Sequence, residues 1–369
     1  MKNSDGSAAP PTAYSMNSAT GSANKITFNN SGSYIVTASD GAGGTITYVV
    51  NCAKPAKNSV YNPAAFTSLG TLAPSSAITF NTDALTVTGI SGTGVAQANE
   101  SGKVIAAVFT FASVNIPSGV AVTVTGSRPL VICSKADITI GASISVSGKD
   151  SNGNAANAGG PGGSGGGAAM AAGATLVAGK GAGGPETAIN HGGGGGGYGG
   201  AGGNGTGSAI GGAIYGDLPI TDLYGGAGGG GARGGSSTGA GGGGGGAIEL
   251  SAIGAVNIPG GSILADGGNV GSTTETGGGG SGGAIIISAG TTVNINSGTL
   301  SAMGGGGNTQ PTYFNGGGGG GRVAVYGVCS PPAPTIPGSV NGGTGSTGGS
   351  YPNTNGGIGS YYVGSAVTF

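Results

Sequence analysis

The chain has 369 residues, of which 93 are glycine, and its 11 basic and 12 acidic residues give a net charge of −1. So sparse and balanced a charge excludes the basic surface with which proteins hold nucleic acids or anionic membranes. No apolar stretch approaches the ~18 residues needed to span a bilayer. The glycines follow no strict Gly-X-Y period, which excludes collagen, and the periodic Val, Ile, Ala and Thr between them predict an ordered chain.

Two short regions precede the main body of the sequence. Residues 1–24 are rich in Ser, Ala, Asn and Pro and are predicted to form an extended arm. The arm lacks the apolar core of a secretory signal, so either a leader has been removed or the protein leaves its cell by another route, such as lysis. Residues 25–100 are predicted to be a small β domain. Strand-like runs at 25–28, 33–37 and 45–50 alternate there with turns that favour antiparallel hairpins in a hairpin or sandwich-like fold.

Residues 101–327 are predicted to form the main domain, and within them residues 247–326 repeat themselves at a nearly fixed interval. Ala247-Ile248-Glu249-Leu250 recurs 37 residues later and again after 38 more, and the Val-Asn-Ile motif at 256–258 recurs at the same offset of 37. A fixed period of this size indicates stacked supersecondary units. Apolar and polar residues alternate within each unit, which indicates about three short strands with one face inward. We therefore predict an all-β fold whose main body is a parallel β-solenoid.

Runs of consecutive glycine fall at one phase of this repeat, for example at 277–280 and 316–321. A lone glycine run loses more backbone entropy on ordering than any other sequence, and would stay disordered. Stacked runs can instead pack closely as left-handed polyglycine II helices with three residues per turn, because no Cβ intervenes. We predict a layer of such helices beside the strands, with flexible glycine linkers as the alternative.

Glycine dominates between residues 148 and 246, where bulky side chains are confined to excursions such as residues 213–224. This excursion is expected either to fold over the glycine layer or to lie exposed at one end. Its aromatic and large apolar residues form the predicted surface-contact loop: Tyr215, Leu218, Leu223 and Tyr224.

Residues 328–369 form a Pro/Gly-rich tail whose opening prolines end the solenoid. The last segment is again strand-like, and the predicted polymerisation strand contains Tyr361, Tyr362, Val363, Val367 and Phe369. A solenoid has an unpaired strand edge at each of its two ends, and each edge must be capped or must pair with another strand. Either the N-terminal hairpins and this tail cap them, or the arm 1–24 and the strand 359–369 add to a neighbouring subunit's sheet. The second arrangement gives a homopolymer.

A stretch from 109 to 148 carries Asn-Ile-Pro-Ser-Gly-Val from residue 115 and Thr-Val-Thr-Gly-Ser-Arg-Pro-Leu from residue 123, and leads into a glycine-rich run. With the glycine-rich blocks at 277–285 and 319–327, it resembles the glycine-rich β-helix repeat modules of bacterial secreted and surface proteins. The resemblance covers about residues 104–327 and implies an exposed, structural location more than an activity. The composition of the glycine layer also resembles the polyglycine-helix domain of phage tail-tip adhesins, whose distal loops bind a bacterial outer-membrane receptor.

The sequence offers no arrangement typical of catalysis. Polysaccharide-cleaving β-helices need grouped carboxylates, whereas here the carboxylates are isolated along the repeats: Asp137, Asp150, Glu249, Asp266 and Glu275. Glu249 and Asp266 are expected to be solvated charges. The single histidine, His191, has no Ser or Cys partner motif, and the pair Asp217 and Asp222 has no second ligand group for a cation. We predict no enzyme activity, no metal and no cofactor.

Three cysteines, Cys52, Cys133 and Cys329, allow at most one disulfide and leave one thiol over. The sequence leaves the pairing open. No CxxC motif or Cys/His cluster occurs, so a metal-binding role for these cysteines is not indicated.

These features favour a role in binding other molecules over a role in catalysis. The first hypothesis is a structural subunit of an extracellular filament or surface fibre that assembles head to tail by strand addition, with adhesion as a possible consequence. The second is a phage or cell-surface receptor-binding tip adhesin whose excursions contact a host surface molecule. An ice- or carbohydrate-binding module ranks last, because the threonines do not line up at the 37-residue offset. The expected location is extracellular or on the cell surface, or on a virion under the second hypothesis.

Overall fold

The computed structural model of the chain divides into two compact units, residues 1–58 and 59–369. It describes five strands of the first unit and, in the second, residues 61–369 apart from twelve gaps. These gaps are 100, 152–156, 168–182, 184–191, 207–208, 233–238, 271–276, 308–313, 331–337, 347–353, 365–366 and 368. The described residues are all-β, with one short 3-10 helix at Pro63–Ala65. Within them, no helix has the length and apolar character needed to cross a membrane.

The first unit contains antiparallel strands. They are β1 Lys2–Asn3, β2 Tyr14–Met16, β3 Ile26–Phe28, β4 Gly32–Ser39 and β5 Thr45–Cys52. Strand β4 pairs with β5 along its whole length and with β1 on its other edge, and β2 pairs with β3. The antiparallel hairpin predicted from the turn between residues 37 and 45 is confirmed.

The second unit begins with short strands and continues with three strands per repeat. Its early strands are β6 Thr71–Leu72, β7 Ile78–Asn81, β8 Thr86–Val87, β9 Val95–Ala98, β10 Ile105–Phe111, β11 Ser113–Ile116, β12 Val122–Thr125, β13 Leu130–Ser134, β14 Ile138–Ile140 and β15 Ser143–Ser145. Its later strands are β16 Ala247–Ala252, β17 Val256–Asn257, β18 Ser262–Leu264, β19 Ala284–Asn294, β20 Thr299–Ser301, β21 Arg322–Ser330, β22 Gly338–Ser339 and β23 Ser360–Gly364.

Equivalent strands of successive repeats pair in parallel and in register, which builds three columns. Column 1 runs in the order β9, β10, β13, β16, first part of β19, first part of β21, β23, and only β9 is antiparallel to its neighbour. Column 2 runs in the order β6, β11, β14, β17, second part of β19, second part of β21. Column 3 contains β8, β7 and β12, beside which lie β15, β18, β20 and β22.

The repeat offset read from the sequence is the pairing register. Ala247 lies opposite Ala284, and Ile263 lies opposite Leu300, each 37 residues apart. Ala284 in turn lies opposite Arg322, 38 residues on. The alternation of apolar and polar residues places one apolar set inward in every column, and these residues form one continuous core that includes Phe109, Ile132, Leu250, Ile287 and Val325, each 0% exposed.

The boundary between the units lies near residue 58 rather than at residue 100. Strand β6 pairs in parallel with β11, and β7 pairs in parallel with β12, so residues 71–81 start columns 2 and 3. The strand pattern of residues 59–100 lacks the glycine-rich signature of the later repeats, so the sequence alone predicts that they belong to the small N-terminal domain. Their apolar residues nevertheless belong to the main core, as Leu72 and Phe80 show.

The glycine runs form ordered rows whose hydrogen bonds have a three-residue period. In row 278–283, successive N–H groups point to three different neighbouring segments, and each third residue returns to the same segment. The six bonds are Gly278 to Gly230, Gly279 to Gly316, Gly280 to Gly268, Ser281 to Ala227, Gly282 to Gly319 and Gly283 to Ala265. Rows 241–246 and 316–321 repeat this pattern. A Cβ on Gly280 would overlap the carbonyl oxygen of Gly243, which explains why the row is built of the smallest residues.

Candidate functional site

Strand β23 forms the last end of column 1, where, among the described residues, one backbone edge is unpaired and the core is incompletely covered. Strand β23 pairs with β21 on one edge, and no other described strand pairs with its second edge. Tyr361 and Val363 continue the inward-facing positions of Val323 and Val325. Val363 is 37% exposed, whereas Val325 is 0% exposed. The described part of the core therefore ends here without a complete cover.

The first end is closed differently. Strand β9 folds back antiparallel against β10, and Leu69, Leu85 and Ile90 pack against the core at this end. The outer edge of β9 has no partner among the described strands. Two apolar side chains remain exposed beside it, Val95 at 46% and Ile105 at 52%. The first end thus has a covered core and a free strand edge.

Neither free edge carries the features that usually prevent strands from pairing between molecules. Strand β9 reads Val-Ala-Gln-Ala and β23 reads Ser-Tyr-Tyr-Val-Gly, without a charge or a proline. Proteins that must stay monomeric commonly protect their edge strands with lysine, proline, a bulge or a covering segment. The two edges are therefore chemically competent for strand addition.

The last glycine row, residues 354–359, adds to the apolar character of the last end. The N–H groups of Gly356 and Gly359 donate to Gly343 and Val340, following the three-residue period. Ile358 lies between them in the row and is 73% exposed. Ile358 thus places an exposed apolar side chain two residues before β23.

The predicted polymerisation strand is only partly what the structure shows. Tyr361, Tyr362 and Val363 lie in β23, which is already paired within the chain, so this segment is an edge strand and not a free arm. Val367 is 4% exposed, and its N–H donates to the carbonyl oxygen of Ala289 at 3.1 Å. Val367 therefore belongs to the interior and is not available for pairing with a neighbour. Phe369 is half-buried.

Residues 213–224, which we call the strap, cross the outward face of column 1. At one end Arg322, 6% exposed, binds the strap to the last strand. Its Nη2 donates to the carbonyl oxygens of Tyr215 and Gly216, both at 3.0 Å, and its Nη1 donates to Ser360 Oγ at 3.0 Å. Its guanidinium carbon lies 5.4 Å from the centre of the Tyr198 ring. Arg322 thus ties the strap and the glycine rows to β23.

The other part of the strap reaches the hairpin between β9 and β10. Asp222 Oδ1 accepts hydrogen bonds from Asn99 Nδ2 and, at 2.9 Å, from Ser101 Oγ. The strap is therefore fastened to strands at both ends of column 1. In this contact the Asp222 carboxylate braces the hairpin between β9 and β10.

Only part of the predicted surface-contact loop is exposed to solvent. Leu223 is 2% exposed, which corrects its assignment as a contact residue, because its side chain is buried in the interior. Tyr215 and Tyr224 are half-buried, and Tyr215 Oη donates to the carbonyl oxygen of Gly225 at 2.6 Å. Burial raises the pKa of Tyr215. Leu218, at 37%, is the exposed member of the predicted set.

The outward face of column 1 is buried from β10 to β21, which corrects the expectation that Glu249 is a solvated charge. Glu249 is 3% exposed, and Ser288 Oγ donates to its Oε1 at 3.4 Å. Nearby, the Cys133 thiol donates to the carbonyl oxygen of Tyr61 at 3.3 Å. Burial, and then the charge of Glu249, raise the pKa of Cys133 well above its usual value. A thiol in this state is a poor nucleophile.

The strand register excludes one of the possible disulfide pairings. Cys133 is a free, buried thiol, and its position continues through Ser251 and Ser288 to Tyr326, three strands away. Cys329 follows in the same strand as Tyr326. At about 4.8 Å per strand, the two backbones are roughly 14 Å apart, beyond the ~7 Å limit for a disulfide. A Cys133–Cys329 bond within one chain is thus excluded, while the side chains of Cys52 and Cys329 lie outside the described residues.

The remaining carboxylates singled out in the sequence brace backbone groups where they are described. Asp137 Oδ1 accepts from the N–H of Ala255 at 2.8 Å, and Asp266 Oδ1 accepts from Ser301 Oγ at 2.6 Å and from the N–H of Met303 at 2.7 Å. In the part of the chain that the structure describes, no group of three or more His, Cys, Asp and Glu could hold a metal ion. His191 and Glu275 lie outside the described residues.

No family model, curated protein or solved structure matches the sequence. The geometry of the two column ends and of the strap is therefore what bears on function.

Proposed function

We propose that the second unit is a parallel β-solenoid with a packed layer of polyglycine II helices. Two features support this architecture. The three strand columns keep one register over successive repeats, as expected of a coil that returns after 37 or 38 residues. The glycine rows hydrogen-bond with a three-residue period in three directions, as expected of left-handed helices with three residues per turn.

We further propose that the protein is a non-enzymatic structural subunit that assembles end to end into an extracellular filament or surface fibre. The observation that carries this proposal is the last end of column 1, where an uncharged edge strand lies over an incompletely covered core. A strand added there gains backbone hydrogen bonds, each worth about 0.5–1.5 kcal/mol, and covers Val363. The resemblance to glycine-rich surface proteins supports the location outside the cell.

When two different ends of a subunit bind head to tail, each added subunit presents a new free end. Unless the rotation between neighbouring subunits closes a ring, the contact repeats and builds a fibre. The two ends of column 1 differ, because one carries an antiparallel strand and the other a parallel one. Exposed apolar side chains occur at both, Val95 and Ile105 at the first end and Ile358 and Val363 at the last. This distribution fits a subunit whose two ends bury each other.

A charge at the open edge tests the proposal. We expect Val363→Lys to abolish the assembly of the full-length protein, measured by sedimentation velocity, because an inward lysine would have to be buried in the junction. Thr123→Lys is the matched control, since Thr123 is exposed on the side of column 3, away from both ends. Circular dichroism should show both variants folded. Assembly by Val363→Lys equal to that of the wild-type chain would contradict the proposal.

A second candidate, a receptor-binding tip, is favoured by the outer side of the strap. Ile214 is 57% exposed and Leu218 is 37% exposed, next to the exposed Asp217. These residues would contact a host surface molecule. A soluble, non-assembling protein that binds cells, and that loses binding in an Ile214→Asp and Leu218→Asp double variant, would support this candidate over the first.

A further inference from the structure

We infer that the strand that occupies the free edge of β23 is β9 of a second copy of this chain, in an antiparallel arrangement. The inference rests on the proposed end-to-end assembly and specifies its junction. It differs from the expectation that a terminal arm is exchanged between subunits, because both strands stay in their own sheets and meet edge to edge.

The first argument is the length of free edge at each column end. In column 1, β9 offers four residues and β23 offers five. Column 2 begins with the two residues of β6, and column 3 begins at the two-residue β8 and ends at the two-residue β22. Among the described strands, column 1 is thus the column with an edge of four or more residues at both ends. Most backbone hydrogen bonds of a junction must therefore form there.

The directions of the strands in column 1 favour an antiparallel junction. Every strand of column 1 from β10 to β23 runs the same way, whereas β9 runs the opposite way. When a second copy stacks in the same orientation, its β9 meets β23 antiparallel. An antiparallel pair has straight hydrogen bonds and is slightly more stable per residue than a parallel pair. A short junction of four or five residues benefits from this geometry.

The third argument is the fit of side chains across the junction. The inward positions of β9 are Ala96 and Ala98, which lie opposite Ala107 and Ile105 of β10. The inward positions of β23 are the large Tyr361 and Val363. Ala96 is exposed and Ala98 is half-buried, and such small residues on one strand leave space for the large side chains of the other.

The outward positions match as well. Gln97 and Val95 lie opposite Ala106 and Val108, on the outward side of column 1. Tyr362 lies opposite Ala324, on the same side of the column at the other end. In an antiparallel junction Tyr362 therefore falls next to Gln97 or Val95, within reach of a cross-strand contact.

Cysteine pairs placed on these outward positions test the inference in the full-length chain. We expect Gln97→Cys or Val95→Cys, combined with Tyr362→Cys, to give a ladder of disulfide-linked multimers under mild oxidation on a non-reducing gel. Each single variant should stop at dimers, and the wild-type chain gives the background from the native cysteines.

The outcomes separate the inference from the proposed function. Filaments by electron microscopy with a covalent ladder support both. Filaments without a ladder from either double variant overturn the β9–β23 junction, and their loss on deletion of residues 1–24 would show that the arm is the donor instead. Discrete particles without filaments, in the wild-type chain, overturn the proposed function and the junction together.

Discussion

Arg322 and Ser360 are joined by a hydrogen bond of 3.0 Å from the guanidinium Nη1 to the hydroxyl oxygen, between the last two strands of column 1. The same guanidinium holds two carbonyl groups of the strap and lies against Tyr198. One buried side chain therefore links the edge strand, the strap and the glycine rows. The geometry of the open edge depends on this residue.

Replacement of Arg322 should weaken the fold. We expect Arg322→Ala to lower the free energy of unfolding by about 3 kcal/mol, because buried acceptors lose a charged donor. The measurement is chemical denaturation of the non-assembling Val363→Lys background. Arg128→Ala is the matched control, since Arg128 faces Asp83 at 3.5 Å with side chains 35% and 50% exposed. Water can replace the lost contacts there, so a loss of at most about 1 kcal/mol is expected. Equal losses for the two variants would contradict the assigned role.

A methyl group inside the glycine rows should be far more harmful than one at their margin. We expect Gly280→Ala to destabilise the protein by about 3 kcal/mol, because its Cβ would overlap the carbonyl oxygen of Gly243. Gly306→Ala should stay within about 0.5 kcal/mol, because the nearest atoms, Asn269 Oδ1 and Thr344 Oγ1, are both 3.6 Å from the added Cβ. Thermal unfolding of the two variants compares them directly. Two indistinguishable melting temperatures would show that the rows are not closely packed in solution.

Buried tyrosines should make the protein sensitive to alkali. Burial raises the folded-state pKa of Tyr198, Tyr215 and Tyr326 above the ordinary value of 10.0. A tyrosine whose pKa is higher in the folded than in the unfolded protein opposes unfolding least at high pH. Its contribution to stability is fully present below the unfolded pKa near 10 and is lost as the pH rises above that value. The melting temperature should therefore fall between pH 10 and pH 12, and phenolate absorbance should appear together with unfolding. A constant melting temperature over this range would be the opposite result.

Cys133 should be inert in the folded protein. Its side chain is 0% exposed and its raised pKa leaves little thiolate at neutral pH. We expect iodoacetamide to leave Cys133 unlabelled under native conditions and to label it after denaturation, as read by peptide mass spectrometry. Native labelling of Cys133 at the rate of a free thiol would mean that the segment around Tyr61 opens readily.

The sequence predicts the repeat much better than it predicts what covers it. The alternation at Val256, Ile258 and Ile263 depends on local side-chain direction, so the columns and their 37-residue register follow from it. The phase of the glycine runs likewise indicates rows that stack. The burial of Glu249 could not be predicted, because the segment around Tyr61, which lies near it, has no strand periodicity that would place it against column 1. Nor could the position of Val367, whose partner Ala289 is distant in the sequence.

The ends of the columns show the same limit. Strands β6 and β7 lack the glycine signature of later repeats, so their place at the start of columns 2 and 3 is visible only once they pair with β11 and β12. An edge strand differs from an interior strand because it lacks a neighbouring strand on one side. The local sequence does not show whether such a neighbour is present. The lack of charge in β9 and β23 was a signal that could have marked them as edges for assembly.

Electron microscopy of the full-length protein is the most direct test of end-to-end assembly. Column 1 contains seven strands from β9 to β23, which at about 4.8 Å per strand gives roughly 34 Å for one subunit. We predict unbranched filaments with an axial repeat of about this length, corresponding to one copy of the chain. Uniform discrete particles at the same concentration, or filaments whose repeat does not correspond to one stacked subunit, would contradict the end-to-end arrangement.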